Sequence, residues 1–287
     1  MIDVFKKALR RLDLFSVAFL LYWSARPRVI YHNIPYWLRG AEDGLPIPPL
    51  KLRSLVWGEY VDLRNFFYEQ RQMDYIFETL SQNGATIEEF QAILDFGCGA
   101  GRAIRQFASL QRPLERAQLY GTDINPTQIN WCRRNLPFAE FEVNGPCPPL
   151  IYGDERFDFI YTFSVFTHLS EAQQFAWMRE LSRVLKPAGY LLITTCGESY
   201  FETLNENEKI QFSQGHLVVR NAELAGIPSA YADCIAFHPM SYVREKLTRG
   251  FEVIVFAPGV PYPTGPKGEM DHFFLRKCSF QAADDRP

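Results

Sequence analysis

Three glycines spaced two apart, Gly97, Gly99 and Gly101, follow Asp95 in the stretch I-L-D-F-G-C-G-A-G at 93–101. An apolar pair, Ile93 and Leu94, leads into an acid and then into a turn. Glycine suits such a turn, because a backbone that lies close to a ligand leaves no room for a Cβ. A helix following the turn would add free N–H groups and a partial positive charge, enough to hold a carboxylate, a ribose or a phosphate. Asp123 lies twenty-two residues past Gly101, at the end of L-Y-G-T-D. An acid about twenty residues beyond a glycine turn is where nucleotide-binding folds hold a ribose, and a carboxylate accepts from both hydroxyls of a diol. Its competing role is local: Asn125, Pro126 and Thr127 open a helix that Asp123 could cap. Two histidines are candidates for proton transfer, His168 after the apolar run 157–166 and His238 before Pro239. For His168 the alternative is a ring hydrogen-bonded to backbone at a helix entry; for both, position alone does not show a base within reach of a substrate.

A frame must bring these groups together. From residue 86 the pattern alternates strand and helix, which argues a parallel sheet covered on both faces. Strands are expected at 92–96, 118–122, 139–143, 157–162 and 189–195, with helices near 101–110, 126–135 and 170–185. Arg102, Ala103, Ile104, Phe107 and Leu110 set the first helix. Ser170 and Gln173 form a capping box for the third, whose buried face is Phe175, Met178, Leu181 and Leu185. Two last strands are expected at 251–256 and 272–275. The fold class is therefore α/β: a doubly wound, Rossmann-like, mostly parallel seven-stranded sheet with an N-terminal helical cap. Upstream, 59–82 reads as one or two helices stopped by Asn83 and Gly84, and 24–56, rich in Pro and aromatics, as a wrapping arm or a linker with little regular structure. Residues 196–238, with a short strand at 217–220, are long for a strand-to-helix connection.

With 287 residues, 47% of them hydrophobic, the chain can bury a sizeable core. A net charge of −3 gives no basic field for nucleic acid. The six cysteines contain no C-x-x-C pair and read as reduced thiols; no cluster has metal-ligand spacing, so no metal is expected. Residues 1–23 combine Lys6, Lys7, Arg10 and Arg11 with an apolar run from Leu14 to Trp23, too short to span a bilayer as a helix. Three readings stay open there: a helix packed on the protein, a peripheral helix on a membrane surface, and a signal peptide with a poor cleavage site.

The pattern D-x-G-x-G-x-G resembles the first motif of the class I S-adenosylmethionine-dependent methyltransferases. The remaining motifs follow in order: G-T-D at 121–123, Asn144-Gly145, F-D-F-I-Y-T-F-S-V-F-T-H-L at 157–169 and L-K-P-A-G-Y at 185–190. The resemblance covers 90–200 well and 235–277 loosely. A nicotinamide-dependent oxidoreductase is the first rival, disfavoured because the third glycine comes two residues after the second and not three; a non-catalytic scaffold is the second. The resemblance implies S-adenosyl-L-methionine as cofactor, with its methionine part at Gly97, Gly99 and Gly101. Asp95 would sit behind the turn or accept from the ammonium, and Arg102 would pair with the carboxylate or face solvent. It gives Asp123 the ribose and Ile124 the adenine face. Asn144 stands where many members carry an Asp that meets the adenine amino group. Phe163 and Phe166 would border the cationic sulfonium, which aromatic faces favour. It also implies a last strand inserted antiparallel, and a cofactor-covering helix before the first strand. That helix puts a boundary near residue 85 between an amphipathic helix, arm and cap (1–85) and the cofactor-binding domain (86–287), whether or not the two parts share one core. The resemblance makes 196–238 a substrate-side insertion, the alternative being a lid or packing element without substrate contact. The sulfonium activates its own methyl group, so the protein must hold the acceptor in line and exclude water. A hydroxyl acceptor benefits further from a base, His168 first and His238 second. No N-x-P-Y amine-methylating motif is present, which favours oxygen or a different amine geometry. The implied acceptor is a small molecule or a glycan- or lipid-linked intermediate, with no nucleic acid. The implied location is the cytoplasm, peripheral at the inner face of the membrane if residues 1–23 bind it.

Overall fold

The computed structural model describes residues 26–56, 62–67, 72–109, 116–221, 234–260 and 269–278. The basic stretch 1–23 and the helix start at 59–61 lie outside them. Seven strands form one sheet: β1 (Ala92–Phe96), β2 (Gln118–Asp123), β3 (Ala139–Val143), β4 (Phe157–Thr162), β5 (Leu185–Thr195), β8 (Phe251–Ala257) and β9 (Asp271–Lys277), in the order β3-β2-β1-β4-β5-β9-β8. The first five run parallel, and β9 enters antiparallel between β5 and β8. The chain order reverses between β1 and β4, so a crevice opens beyond the carboxyl ends of those two strands.

Alternation along the strands builds two cores. Ile93, Phe159, Leu192 and Phe274 face one side, where Met73, Ile76, Phe77 and Leu80 cover them together with Ile129 and Cys132. Leu94, Ile160, Leu191, Ile193 and Leu275 face the other, under Trp177, Met178, Leu181 and Val184. Buried on both faces, these strands are near-continuous in apolar residues, as parallel strands must be. The covering helices are α4 (Gln72–Gln82) and α5 (Pro126–Asn135) on the first side and α6 (Glu171–Val184) on the second. The core thus continues across residue 85. Burying each large apolar side chain of α4 contributes about 1.5–3 kcal/mol relative to exposure. The expected capping box opens α6, with Gln173 Oε1 accepting from the Ser170 N–H at 3.0 Å.

Two expectations are corrected. The arm at 24–56 holds α1 (Pro27–Arg39) and α2 (Leu50–Val56), with α3 (Leu63–Phe66) after it. Pro27 reads as a breaker but stands at the first helical position, where its missing N–H costs nothing; Gly40, at φ 80° with its N–H on the Tyr36 carbonyl, ends the helix. The segment after the glycine turn is not the expected α-helix. It is a turn followed by a tight 3₁₀ stretch, Ile104–Ser109. Arg105 explains part of this: its side chain is buried and reaches Asp43 through two nitrogens (2.6 and 2.9 Å) and the carbonyls of Leu45 and Pro46. The guanidinium also lies over Phe67, 5.0 Å from the ring centre. The arm is thereby clamped against the turn. The insertion after β5 contains a 3₁₀ turn (Glu198–Thr203), α7 (Glu206–Ser213) and a two-stranded antiparallel ribbon of β6 (Val218–Asn221) and β7 (Cys234–Phe237). It has its own small core of Cys196, Tyr200, Leu204, Phe212, Val218 and Phe237; residues 222–233 lie outside the described residues.

Candidate active site

Gly97, Gly99 and Gly101 all adopt left-handed backbone, with φ of 82°, 53° and 76°. At Gly97 a Cβ would meet Val165 Cγ2 at 2.3 Å, so the turn out of β1 lies directly against the turn out of β4. The end of β2 pins the loop: the N–H groups of Gly97 and Cys98 both donate to the Thr122 carbonyl (2.8 and 2.9 Å), and that of Gly99 donates to Asp123 Oδ2 (2.9 Å). These three amides are thus spent on holding the turn to β2, and no α-helix N-terminus directly follows the turn among the described residues.

Asp123 also accepts from the Asn125 N–H through Oδ1 (2.8 Å). The helix cap is therefore Asn125, whose side chain accepts from the Thr127 and Gln128 N–H groups, and Asp123 acts as the clamp on the glycine turn and on the cap residue. Burial pushes the Asp123 carboxyl above its ordinary range, while the two amides pull the other way. Ile124, next along, is 61% exposed. The Asn144 N–H donates to the Asp123 carbonyl (3.2 Å); its side-chain Nδ2 is spent on the Gly145 carbonyl, and its Oδ1 is buried without a partner. These residues form one continuous lip along the ends of β1, β2 and β3.

Asp95 lies behind the turn, buried, with Oδ2 unpartnered. Burial raises its carboxyl to about 7, against the pull of the Arg102 charge. Tyr161 stands near but falls short of a hydrogen bond, and its own hydroxyl is unpartnered. Arg102 is half-buried beside this pocket floor. Cys98 points inward, where burial holds its thiol well above the ordinary value, so it is no nucleophile. Cys98 and Cys132 are buried thiols, and Cys147 and Cys278 are exposed ones.

The other lip comes from β4, β5 and the ribbon. Phe163 packs against Tyr161 (5.6 Å between ring centres) and His272 (6.4 Å), whereas Phe166 is fully buried in the core under α6. Ser164 takes a left-handed φ of 60°, held by its N–H to Thr194 Oγ1 (2.8 Å). The His168 N–H donates to the Val165 carbonyl (2.9 Å), which places the imidazole one turn from the residue that touches Gly97. His168 Nδ1 lies 3.1 Å from the Cys234 carbonyl. A carbonyl can only accept, so Nδ1 carries the proton and Nε2 keeps its lone pair. Burial lowers the ring below its ordinary 6.5, so it is neutral at pH 7. His238 is different. It is fully buried, its backbone N–H meets the Cys196 carbonyl (2.7 Å), and neither ring nitrogen has a partner. Burial pushes it down to about 3, which makes it a weak proton acceptor.

One residue of this lip was not visible in the sequence. Asp271, the first residue of β9, pairs with Thr195 at the end of β5. Its Oδ1 accepts from the Gly259 N–H (2.8 Å), and Oδ2 is buried without a partner against Gly197, where a Cβ would come within 1.8 Å. Burial raises this carboxyl from 3.8 to about 6, with Glu198 adding to the effect. A carboxyl held above its unfolded value binds its proton more tightly in the folded chain. That contribution favours folding below pH 3.8 and is lost as pH rises through about 6. Asp271→Asn is therefore expected to leave stability unchanged at pH 4 and to raise it by about 1 kcal/mol at pH 8, partly offset by its own unpartnered NH₂. Urea unfolding at the two pH values checks this; equal stability at pH 8 would contradict it. Only the 74-residue separation of Asp271 from Gly197 hid the site.

Residues 94–193 match a family described as a methyltransferase domain. A fatty-acid O-methyltransferase of Mycolicibacterium smegmatis is 34% identical over 39% of this chain and 39% of its own length. A phthiotriol/phenolphthiotriol dimycocerosates methyltransferase of Mycobacterium ulcerans is 35% identical over 36% of each. The chain thus spans well under half the length of these relatives. Among solved structures, a SAM-dependent methyltransferase of Methanosarcina mazei superposes with a TM-score of 0.50 at 22% identity, covering 69% of this chain and 97% of that one. The 1,6-didemethyltoxoflavin-N1-methyltransferase of Burkholderia thailandensis, solved with S-adenosylhomocysteine, gives 0.51 at 17% identity, covering 81% and 92%. At these identities the structures share the fold.

Proposed function

We infer that this chain is a class I S-adenosylmethionine-dependent methyltransferase, a reading supported by the methyltransferase-domain match at 94–193, the curated relatives and the shared fold. The residues present fit the cofactor. Asp95 Oδ2 and Asn144 Oδ1 are buried acceptors without partners, suited to the ammonium and to the adenine amino group. Asp123 has lone pairs left for a ribose diol after its two amide contacts, and exposed Ile124 suits the adenine face. When bound, S-adenosylmethionine supplies a methyl group already activated on a sulfonium.

The acceptor we propose is a hydroxyl of a lipid or other small apolar molecule. The observation that carries this is His168: its Nδ1 is committed to the Cys234 carbonyl, its Nε2 is a free-lone-pair base, and burial keeps it neutral. A base with that tautomer serves an acceptor that must lose a proton. Phe163 at the same lip offers an apolar wall beside the cationic centre. The two relatives named for a fatty acid and for phthiotriol lipids support a lipid-like acceptor. The cytoplasm is the proposed compartment, in keeping with a cysteine pattern that contains no C-x-x-C pair and reads as reduced thiols. The test is incubation with S-adenosylmethionine carrying a labelled methyl group and a panel of hydroxylated lipids, fatty acids and amines, with products identified by mass. Labelled methyl ethers of the hydroxyl lipids are expected; label confined to nitrogen would overturn the oxygen assignment.

A further inference from the structure

α1 is amphipathic in an unusual sense: it has a buried face and, opposite to it, an exposed apolar one. Val29 and Asn33 are buried, and His32 and Tyr36 partly so. These four fasten the helix to the body. Asn33 Oδ1 accepts from the Leu63 N–H (2.7 Å), His32 Nδ1 meets Asp62 Oδ2 (2.7 Å), and Tyr36 stacks on Phe67 (5.0 Å between ring centres). Phe67 in turn lies under Arg105. The helix therefore needs nothing from its other side to stay in place.

That other side carries Ile30, Tyr31, Ile34, Trp37 and Leu38. Tyr31 is 74%, Trp37 61% and Leu38 79% exposed. Among the described residues these five are the only large apolar side chains exposed together on one element, out of twelve exposed in all, so they form a patch and not scatter. At 100° per residue they fill an arc of roughly 120°. Arg28 and Arg39 flank the arc on one side and Arg26 on the other, and the helix contains no acid. A second copy of the chain docked through this face would bring like-charged rims together, which is unfavourable. An anionic lipid surface satisfies both features, because aromatic and aliphatic side chains enter the headgroup boundary while arginines stay at the phosphates. No helix among the described residues is long and apolar enough to cross a membrane, so such contact lies along the surface.

We propose that α1 is an interfacial helix that lays Ile30, Tyr31, Ile34, Trp37 and Leu38 into an anionic lipid bilayer. The proposal does not depend on the methyltransferase reading, and its test needs no cofactor. The full chain is sedimented with vesicles of phosphatidylcholine containing phosphatidylglycerol, and with phosphatidylcholine alone. Binding is expected to be stronger to the anionic vesicles and to fall with salt. Trp37→Glu with Leu38→Glu should lower vesicle partitioning at least tenfold, since two apolar contacts become charges at the interface. Arg28→Glu with Arg39→Glu should reduce binding to the anionic vesicles by about tenfold and leave the weaker binding to neutral ones. Ile151→Glu, at a side chain equally exposed elsewhere, should change nothing. Unchanged circular dichroism melting of each variant shows that the fold is intact. The proposal is overturned if the Trp37/Leu38 variant partitions like the wild type, which would put any affinity in residues 1–25. It is equally overturned if the wild type ignores vesicles, or if it forms a dimer that the same substitutions dissociate.

Discussion

Asp123→Ala is expected to weaken S-adenosylhomocysteine binding by roughly 2–4 kcal/mol, or ~30–700-fold, in titration calorimetry. Two losses combine. The ribose diol loses a charged acceptor, and the Gly99 N–H loses the oxygen that holds the glycine turn in its left-handed shape. Asp123→Asn separates this account from a simple loss of charge. The native carboxylate meets a backbone N–H with each oxygen, Gly99 at one and Asn125 at the other. An amide has one acceptor, so its NH₂ must face one of those donors. The asparagine variant should therefore bind nearly as poorly as the alanine one. Native-like affinity in Asp123→Asn would mean that the turn is held without this clamp and that the ribose contact is the only role of the side chain.

The parts of this architecture that were legible in the sequence are those set by local periodicity. Ile93 beside Leu94, and Phe159 beside Ile160, alternate between two cores, and strands with that pattern fall within a few residues of where they are expected. The glycine turn and Asp123 were legible for a related reason: one strand–helix–strand unit fixes their separation, so chain spacing reports spatial position. Illegible features depend on long-range packing. Arg105 tightens the segment after the turn because it reaches an arm some sixty residues upstream, and no local pattern reports that pull. α1 was read as irregular because Pro27 and Pro35 suggest breaks, whereas one begins the helix and the other costs it a single bond. Asp271 meets Gly197 only because β9 returns antiparallel beside β5. His168 and His238 looked alike in sequence and differ in environment: one ring is tied to a carbonyl at the lip, and the other is sealed in the core with both nitrogens unpaired.

His168→Gln is expected to leave S-adenosylhomocysteine affinity unchanged and to lower turnover of a hydroxyl acceptor by about 10²–10⁴-fold. The imidazole works as a base only when unprotonated, so wild-type turnover should rise with pH as the ring loses its proton. Burial sets that rise below the ordinary value of 6.5, on the acid side of neutrality. The glutamine side chain can still donate an N–H to the Cys234 carbonyl, so it preserves the lip while removing the lone pair at Nε2. The acid limb should vanish with it. His238→Asn serves as a contrast: with its proton affinity pushed down to about 3, His238 contributes no limb in the measurable range. Near-normal turnover in His168→Gln, with the acid limb intact, would point to an acceptor that needs no base, such as a carboxylate already ionised at neutral pH. Methyl esters, in place of methyl ethers, would then be the product, and the protein's contribution would be positioning and exclusion of water, a contribution that can itself reach roughly 7–11 kcal/mol.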